Sequence, residues 1–395
     1  MSTGGSGVTA TRLAARARPF RQFIVKLHSR CNLACTYCYV YTMADQRWRS
    51  RPHVMSPELV GHTANRIAEH ARAHGLDAVE VVLHGGEPLL AGPEALRHLV
   101  NTMRDTVAVP VRVAMQTNAT LLDRDCLELL RDLDIVVSVS LDGDAVAHDR
   151  HRVAADGTGS HDRVSRALRM LGAPEFGSVF GGLLCTVDIR NDPVGTYQAL
   201  LEFRPPAVDF LLPHGNWATP PPGRVTGAAA TPYADWLHAV FQRWYSAPGR
   251  ETGVRLFEEI INVLLGGGSR VEGVGLGPAL MVVVETDGTI EQSDILASAF
   301  EGAAATGLHV TRDPFDAALR LPEVLARQAG TADLCATCRA CDLHTVCGGG
   351  LRAHRFRPDS GFGNPSVYCP DLYRLITRIR DRVAGDLATL RQEAR

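Results

Sequence analysis

The sequence predicts an α/β protein: a partial (β/α)6 barrel of parallel strands, TIM-like but two units short of closure, followed by a smaller cysteine-rich domain. Three observations lead there. Short β-branched runs alternate with helical segments from residue 22 onward. Polar or glycine-rich signatures follow each of the first four strand candidates. The ten cysteines fall mostly into two groups, at 31–38 and 335–369. Apolar residues make up 45% of the 395, ample for a buried core, and 41 Lys and Arg against 43 Asp and Glu leave a net charge of −2. That balance argues against nucleic acid as a partner.

Six strands are expected in "QFIVKLH", "AVEVVLH", "VRVAMQT", "IVVSVS", "VFGGLLCTV" and "AVDFLLP". After the first, Ser56 reads as an N-cap, Pro57 as the first helical residue and Gly75 as the stop. Further helices are read in "GPEALRHLVNTMRD", "DRDCLELLRDL", "SHDRVSRALRML" and "GTYQALLEF". Residues 216–232, rich in Pro, Gly and Ala, read as a connection. "YADWLHAVFQRWY" and "RLFEEIINVLL" are helical, Asp287-Gly288 marks a hairpin, and the last stretch is a helix. The expected organisation is a disordered basic tail over 1–20, the barrel over 21–232, a helical linker over 233–278 and a cluster domain over 279–395. No apolar run is long enough for a membrane span, and the first residues lack the apolar centre of a secretory signal. A cytoplasmic protein without membrane partners is the expectation.

In a parallel βα architecture, chemistry gathers where the strands end. The loop after the first strand holds Cys31, Cys35 and Cys38. "HGGEP", with Gly85, Gly86 and Glu87, ends the second strand; "QTNAT", with Asn118, ends the third; "SVSLDG", with Ser140 and Asp142, ends the fourth. Each alone could be a turn. Three thiols in eight residues are neither a disulfide framework nor a closed four-ligand zinc site. Cys126 and Cys185 read as small buried hydrophobes.

"CNLACTYC" resembles the C-x3-C-x2-C signature of radical S-adenosylmethionine (SAM) enzymes. The resemblance implies that Cys31, Cys35 and Cys38 hold three irons of a 4Fe-4S cluster, leaving the fourth iron for the methionine end of SAM. It further implies Tyr37 near the adenine, Gly85, Gly86 and Glu87 at the methionine amino group, and Ser140 and Asn118 near the ribose and carboxylate. An external one-electron reductant, such as flavodoxin or ferredoxin, is implied as well. A zinc site completed by His28 is the other reading of the three thiols.

The second group, "CATCRACDLHTVCGGG" with Cys369, resembles the SPASM domain of radical SAM enzymes that modify peptides. The match implies that Cys338, Cys341, Cys347 and Cys369 bind one auxiliary 4Fe-4S cluster; a zinc ribbon is the alternative. A second auxiliary cluster is not expected, because Ser293 and Leu351 stand near where its cysteines would be. Cys335 either replaces one of the four ligands or is a spare.

"DFLLPHGNW", "PYADWL", "VETDGTIEQSDIL" and "HRFRPDSGFGNPSVYCPDL" resemble FxsB-type radical SAM/SPASM proteins. Many FxsB-type proteins continue into a further C-terminal domain, so a sequence stopping at 395 is expected to be a stand-alone maturase; the group implies action on a ribosomally made precursor peptide with its leader, joining an aromatic ring carbon to a β-carbon in a cyclophane. Asp142 is the candidate base, with turn capping as its other reading. Asp149, Arg150 and Arg152 of "HDRHR" are candidate substrate contacts or a solvated loop. His214, Asn216 and Trp217 are candidate cavity-lining residues or packing residues. Thioether formation, epimerisation or Ser/Cys oxidation are alternative reactions, and a non-catalytic zinc-bound interaction protein is the alternative of another class.

Overall fold

The computed structural model describes residues 17–225 and 229–394. The basic tail expected over 1–20 lies outside the described residues as far as position 16. The chain divides into two compact units: one comprises the residues through Leu141, His148–Gly182 and Pro278–Ala329; the other Asp142–Ala147, Leu183–Gly277 and Gly330 onward.

In the first unit, β1 (Gln22–His28), β2 (Val79–Gly85), β3 (Val111–Thr117) and β4 (Ile135–Ser140) pair in parallel in sequence order. The register aligns Val25 with Leu83, Leu83 with Met115 and Met115 with Val137, and all four are buried. This dry face packs on helices. Helix Pro57–Ala73 buries Val60, Ala64 and Ile67, spaced at helical intervals; each full Val or Ile burial stabilises by roughly 1.5–3 kcal/mol. Its start is as the sequence predicts: Ser56 accepts from Leu59 N–H and Pro57 opens the helix. Gly75 follows with φ +57°, a left-handed stop. Helices Gly92–Thr106 and Arg124–Asp132 connect the next strands, the latter capped by Asp123.

The Asp287-Gly288 turn joins β8 (Met281–Val284) to β9 (Thr289–Glu291) as an antiparallel pair, in agreement with the hairpin signal. Two features were not legible: β8 runs parallel beside β1, and β10 (Ala305–His309) adds an antiparallel strand to β9. β5 (Phe180–Thr186) begins in the first unit and ends in the second, where Leu183–Thr186 pairs in parallel with β6 (Ala207–Leu211). β6 then pairs with the short β7 (Gly253–Val254). Helices Pro232–Tyr245, Arg255–Leu264 and Cys369–Glu393 complete the second unit. No helix among the described residues is long and apolar enough to cross a membrane.

Candidate functional site

None of the described cysteines is in a disulfide. Cys31, Cys35 and Cys38 lie on the loop leaving the carboxyl end of β1, and backbone hydrogen bonds fold that loop on itself: Cys38 N–H donates to Cys35 O (3.2 Å) and Thr42 N–H to Cys38 O (2.9 Å). A second chain segment braces it, because Ala34 N–H donates to Val153 O and Thr36 N–H to His151 O. Burial pushes the Cys31 thiol up to about 12, and Glu87, Cys35 and Cys38 act in the same direction. Three thiols within electrostatic reach of one another, with Asn118 Nδ2 3.6 Å from the Cys31 sulfur, form a donor set that fits an iron–sulfur cluster. The group would be held by Cys31, Cys35 and Cys38, and its binding would release their protons.

The glycines of "HGGEP" make this packing possible. A Cβ on Gly86 would lie 2.0 Å from Tyr41 Oη and 2.2 Å from Arg30 O; one on Gly85, whose φ is +143°, would lie 2.2 Å from His28 O. The β2 end can therefore press against the cysteine loop, with Gly86 N–H bonded to His28 O and Glu87 N–H to Arg30 O. Glu87 is 1% exposed. Its carboxylate accepts from Thr117 Oγ1 (2.7 Å), Asn118 N–H (2.8 Å) and Leu89 N–H (3.1 Å), and burial raises its pKa. These bonds fix Asn118, whose amide also donates to Asn32 Oδ1. Ser140 is buried at the carboxyl end of β4.

Several predicted contacts have local work. Arg152 is buried and donates to Tyr37 Oη at 2.8 Å, so it supports the cysteine loop. Asp149 accepts from Ser160 and His161 N–H, both at 2.8 Å, and caps helix His161–Leu171. Arg150 is exposed. In the second unit, Asp142 is buried and accepts from Thr186 N–H. Asn216 Oδ1 closes a turn onto Ala218 and Thr219 N–H. Trp217 donates to Pro365 O, with the Arg357 guanidinium over its ring, and the His214 ring lies 5.6 Å from that of His354.

A polar row on the inner face of the first unit was missed from sequence. Lys26 of β1 is in register with His84 of β2; His84 Nε2 meets Gln116 Oε1 of β3 at 3.2 Å; Gln116 is in register with Ser138 of β4. Above it sits Asp294, 5% exposed. Tyr39, next to Cys38, donates to Asp294 Oδ2 at 2.8 Å; His84 Nδ1 and Lys26 Nζ lie 3.5 and 3.8 Å from the same oxygen. Lys26 also pairs with Glu285 at 2.8 Å. Burial works against the Lys26 charge, but Glu285, Asp294 and Glu291 outweigh it and hold its pKa above the ordinary value. Burial, with Asp294 beside it, pushes Tyr39 well up, which keeps it a donor. The available signal was a lysine and a histidine inside strand patterns, where unpaired charge is costly.

In the second unit, Cys338, Cys341, Cys347 and Cys369 line a cavity of about 110 Å³, with Leu343, His344 and Tyr373 among its walls. Burial pushes Cys338 up to about 12, with Cys335 hydrogen-bonded to it, and Cys347 up to about 11. Gly348, Gly349 and Gly350 all have positive φ. Their carbonyls converge on Arg355, which donates to Gly348 O (2.6 Å), Gly349 O (3.1 Å) and Gly350 O (2.8 Å). Four thiols around one cavity, with no open donor position, suit a fully ligated cluster.

The sequence profile of the Radical SAM superfamily matches residues 25–184. This part of the chain is similar to that superfamily, whose members use SAM and a 4Fe-4S cluster, in keeping with the three-cysteine loop. The chain is 24% identical over 274 residues to a cysteine-type anaerobic sulfatase-maturating enzyme of Clostridium novyi, covering 67% of this chain and 71% of that one. Native anSMEcpe with bound AdoMet has the same fold, with a TM-score of 0.78 at 21% identity over 93% of this chain and 99% of that chain. Streptococcus suis SuiB bound to its precursor peptide SuiA aligns with a TM-score of 0.58 at 12% identity, over 92% and 78% of the two chains.

Proposed function

We propose that this radical SAM protein modifies a side chain of a ribosomally made precursor peptide, and that the product is a crosslink between an aromatic ring carbon and a β-carbon. The observation that carries the reading is the buried carboxylate of Asp294, hydrogen-bonded to the tyrosine that follows the third cysteine. When bound, the cluster and SAM supply a carbon-centred radical able to abstract an unactivated hydrogen. The chain's own residues do the rest. Cys31, Cys35 and Cys38 hold the cluster, while Glu87 fixes Asn118 against them. Tyr39, His84 and Lys26 orient Asp294, which would take the proton lost from the substrate. Asp142 is the alternative base from sequence; its carboxylate accepts from the Thr186 amide.

Cys338, Cys341, Cys347 and Cys369 would hold one auxiliary cluster that accepts the second electron. Peptide-bound structures of similar fold, anSMEcpe with the Cp18Cys peptide and SuiB with SuiA, support a peptide substrate. A flavodoxin- or ferredoxin-like donor, in a cytoplasmic setting that keeps ten cysteines reduced, completes the reading.

The sulfatase-maturating relatives favour a second reaction, oxidation of a Ser or Cys side chain. Anaerobic co-expression with a candidate precursor peptide, followed by tandem mass spectrometry, separates the two. A crosslink loses two hydrogens and silences fragmentation between the joined residues. A linear aldehyde keeps its fragment ladder and reacts with a hydrazine. Replacing Cys31, Cys35 and Cys38 together by Ala should abolish deoxyadenosine formation; SAM cleavage by that variant at the wild-type rate would defeat the proposal.

A further inference from the structure

We infer that His70, His74 and Asp316 form a binding site for a divalent first-row transition-metal ion, zinc above all, that ties the short helix Phe315–Ala318 to helix Pro57–Ala73. His70 and His74 are four residues apart and so share one helical face. His70 Nδ1 lies 2.5 Å and His74 Nε2 3.0 Å from the same oxygen, Asp316 Oδ1. The imidazole centroids are 4.5 Å apart, and the three donor atoms all fall within 4.8 Å of one another. Ligands about 2.0–2.2 Å from a tetrahedral zinc stand roughly 3.3–3.5 Å apart, so small side-chain movements accommodate the ion.

The setting suits that role. His70 is 2% exposed, among the rings of Phe20, Phe23 and Phe315. His74 is exposed and Asp316 half-buried, which leaves room for adjustment and for a water as fourth ligand. Two imidazoles and one carboxylate favour zinc, cobalt, nickel or copper over magnesium or calcium, which prefer all-oxygen shells. Phe20 and Phe23 mark the amino end of β1, whereas the three-cysteine loop leaves its carboxyl end. In a βα architecture that end serves stability. The ion is structural and takes no part in the radical chemistry.

The test uses protein reconstituted anaerobically with iron and sulfide, so that the cluster cysteines are occupied, then incubated with zinc chloride and desalted. Wild type should retain about one more zinc per chain than His74→Ala or Asp316→Asn, at equal iron content. Zinc at a hundredfold excess over its dissociation constant should raise the folded-to-unfolded ratio about a hundredfold in wild type only, seen as a higher apparent Tm. His74→Ala alters an exposed side chain, so it decides the matter even if Asp316→Asn folds poorly. Equal zinc in all three proteins, with no difference in Tm response, would overturn the site and leave a hydrogen-bonded His–Asp–His cluster. Because iron content and SAM cleavage are read in parallel, this failure is distinguishable from failure of the proposed enzymatic function.

Discussion

His148 gives the most quantitative expectation. It is fully buried beneath the segment that braces the cysteine loop: its Nε2 meets Ser160 Oγ at 2.9 Å, and that hydroxyl donates to Arg152 O at 2.6 Å. Burial, reinforced by Arg152 and His161, lowers its pKa to about 2. Unfolded histidine titrates near about 6.5. The folded state thus refuses a proton that the unfolded chain accepts, so stability is present above about pH 6.5 and is lost as pH falls through the window down to about 2. At pH 5 the unfolded chain gains about 2 kcal/mol relative to pH 7 from this one group. His148→Gln keeps a polar atom for Ser160 but has no proton to gain, so its urea stability should fall by about 2 kcal/mol less than wild type between those pH values. His70, His84 and His354 titrate in the same direction in both proteins and cancel. Identical pH dependence in the two would refute the linkage. If it holds, iron should also leave wild type sooner than the variant as the solution is acidified.

The remaining expectations concern the two cysteine sites. Gly86→Ala places a methyl 2.2 Å from Arg30 O, which only backbone movement can relieve; SAM affinity measured by equilibrium dialysis should drop at least about tenfold while the far-ultraviolet spectrum stays the same. Glu87→Ala leaves three buried donors unpaired and should cost about 3–5 kcal/mol in urea unfolding, against about 1–3 kcal/mol for Glu87→Gln; equal losses would discredit the three-donor account. Arg355→Lys replaces a planar fork, whose Nε and Nη2 reach three carbonyls, with a single point donor, and iron should fall from about eight to about four per chain on reconstitution. Cys335→Ser should keep about eight irons and Cys369→Ser about four, since Cys369 lines the cavity with Cys338, Cys341 and Cys347; the reverse pattern would make Cys335 the ligand.

The strands and caps were legible because their signals are local. Ser56, Pro57 and Gly75 act within one helix, and the alternation of "AVEVVLH" fixes which face is dry. The cysteine groups were legible because ligand spacing is written along the chain. What escaped is the set of partners supplied from far away. Glu87 looks from sequence like an open carboxylate, yet two of its three donors come from the end of β3. Arg152 looks like a surface charge in "HDRHR", but the loop returns to place it on Tyr37. β8 joining β1 brings Glu285 and Asp294 to Lys26, more than 250 residues away in sequence, and no pattern in either segment announces that pairing.

That long-range pairing explains why Lys26 is tolerated inside β1, between the apolar Val25 and Leu27. A buried ammonium without partners would be neutralised or expelled, but Glu285 at 2.8 Å answers it, and Arg51 and Arg47 answer Glu285 and Glu291 in turn. Glu285 is matched to Lys26 and Arg51, while Asp294 accepts from Tyr39 Oη at 2.8 Å, with His84 Nδ1 and Lys26 Nζ 3.5 and 3.8 Å from the same oxygen. A carboxylate approached by a tyrosine, a histidine and a lysine is held in one orientation. Fixed orientation is what the proposed proton-acceptor role of Asp294 calls for. Ser293, immediately before it, is buried as well, so this turn offers an oxygen where a thiol would serve a metal. On the proposed reading this turn presents a base, and the two iron–sulfur clusters are held by the two cysteine groups.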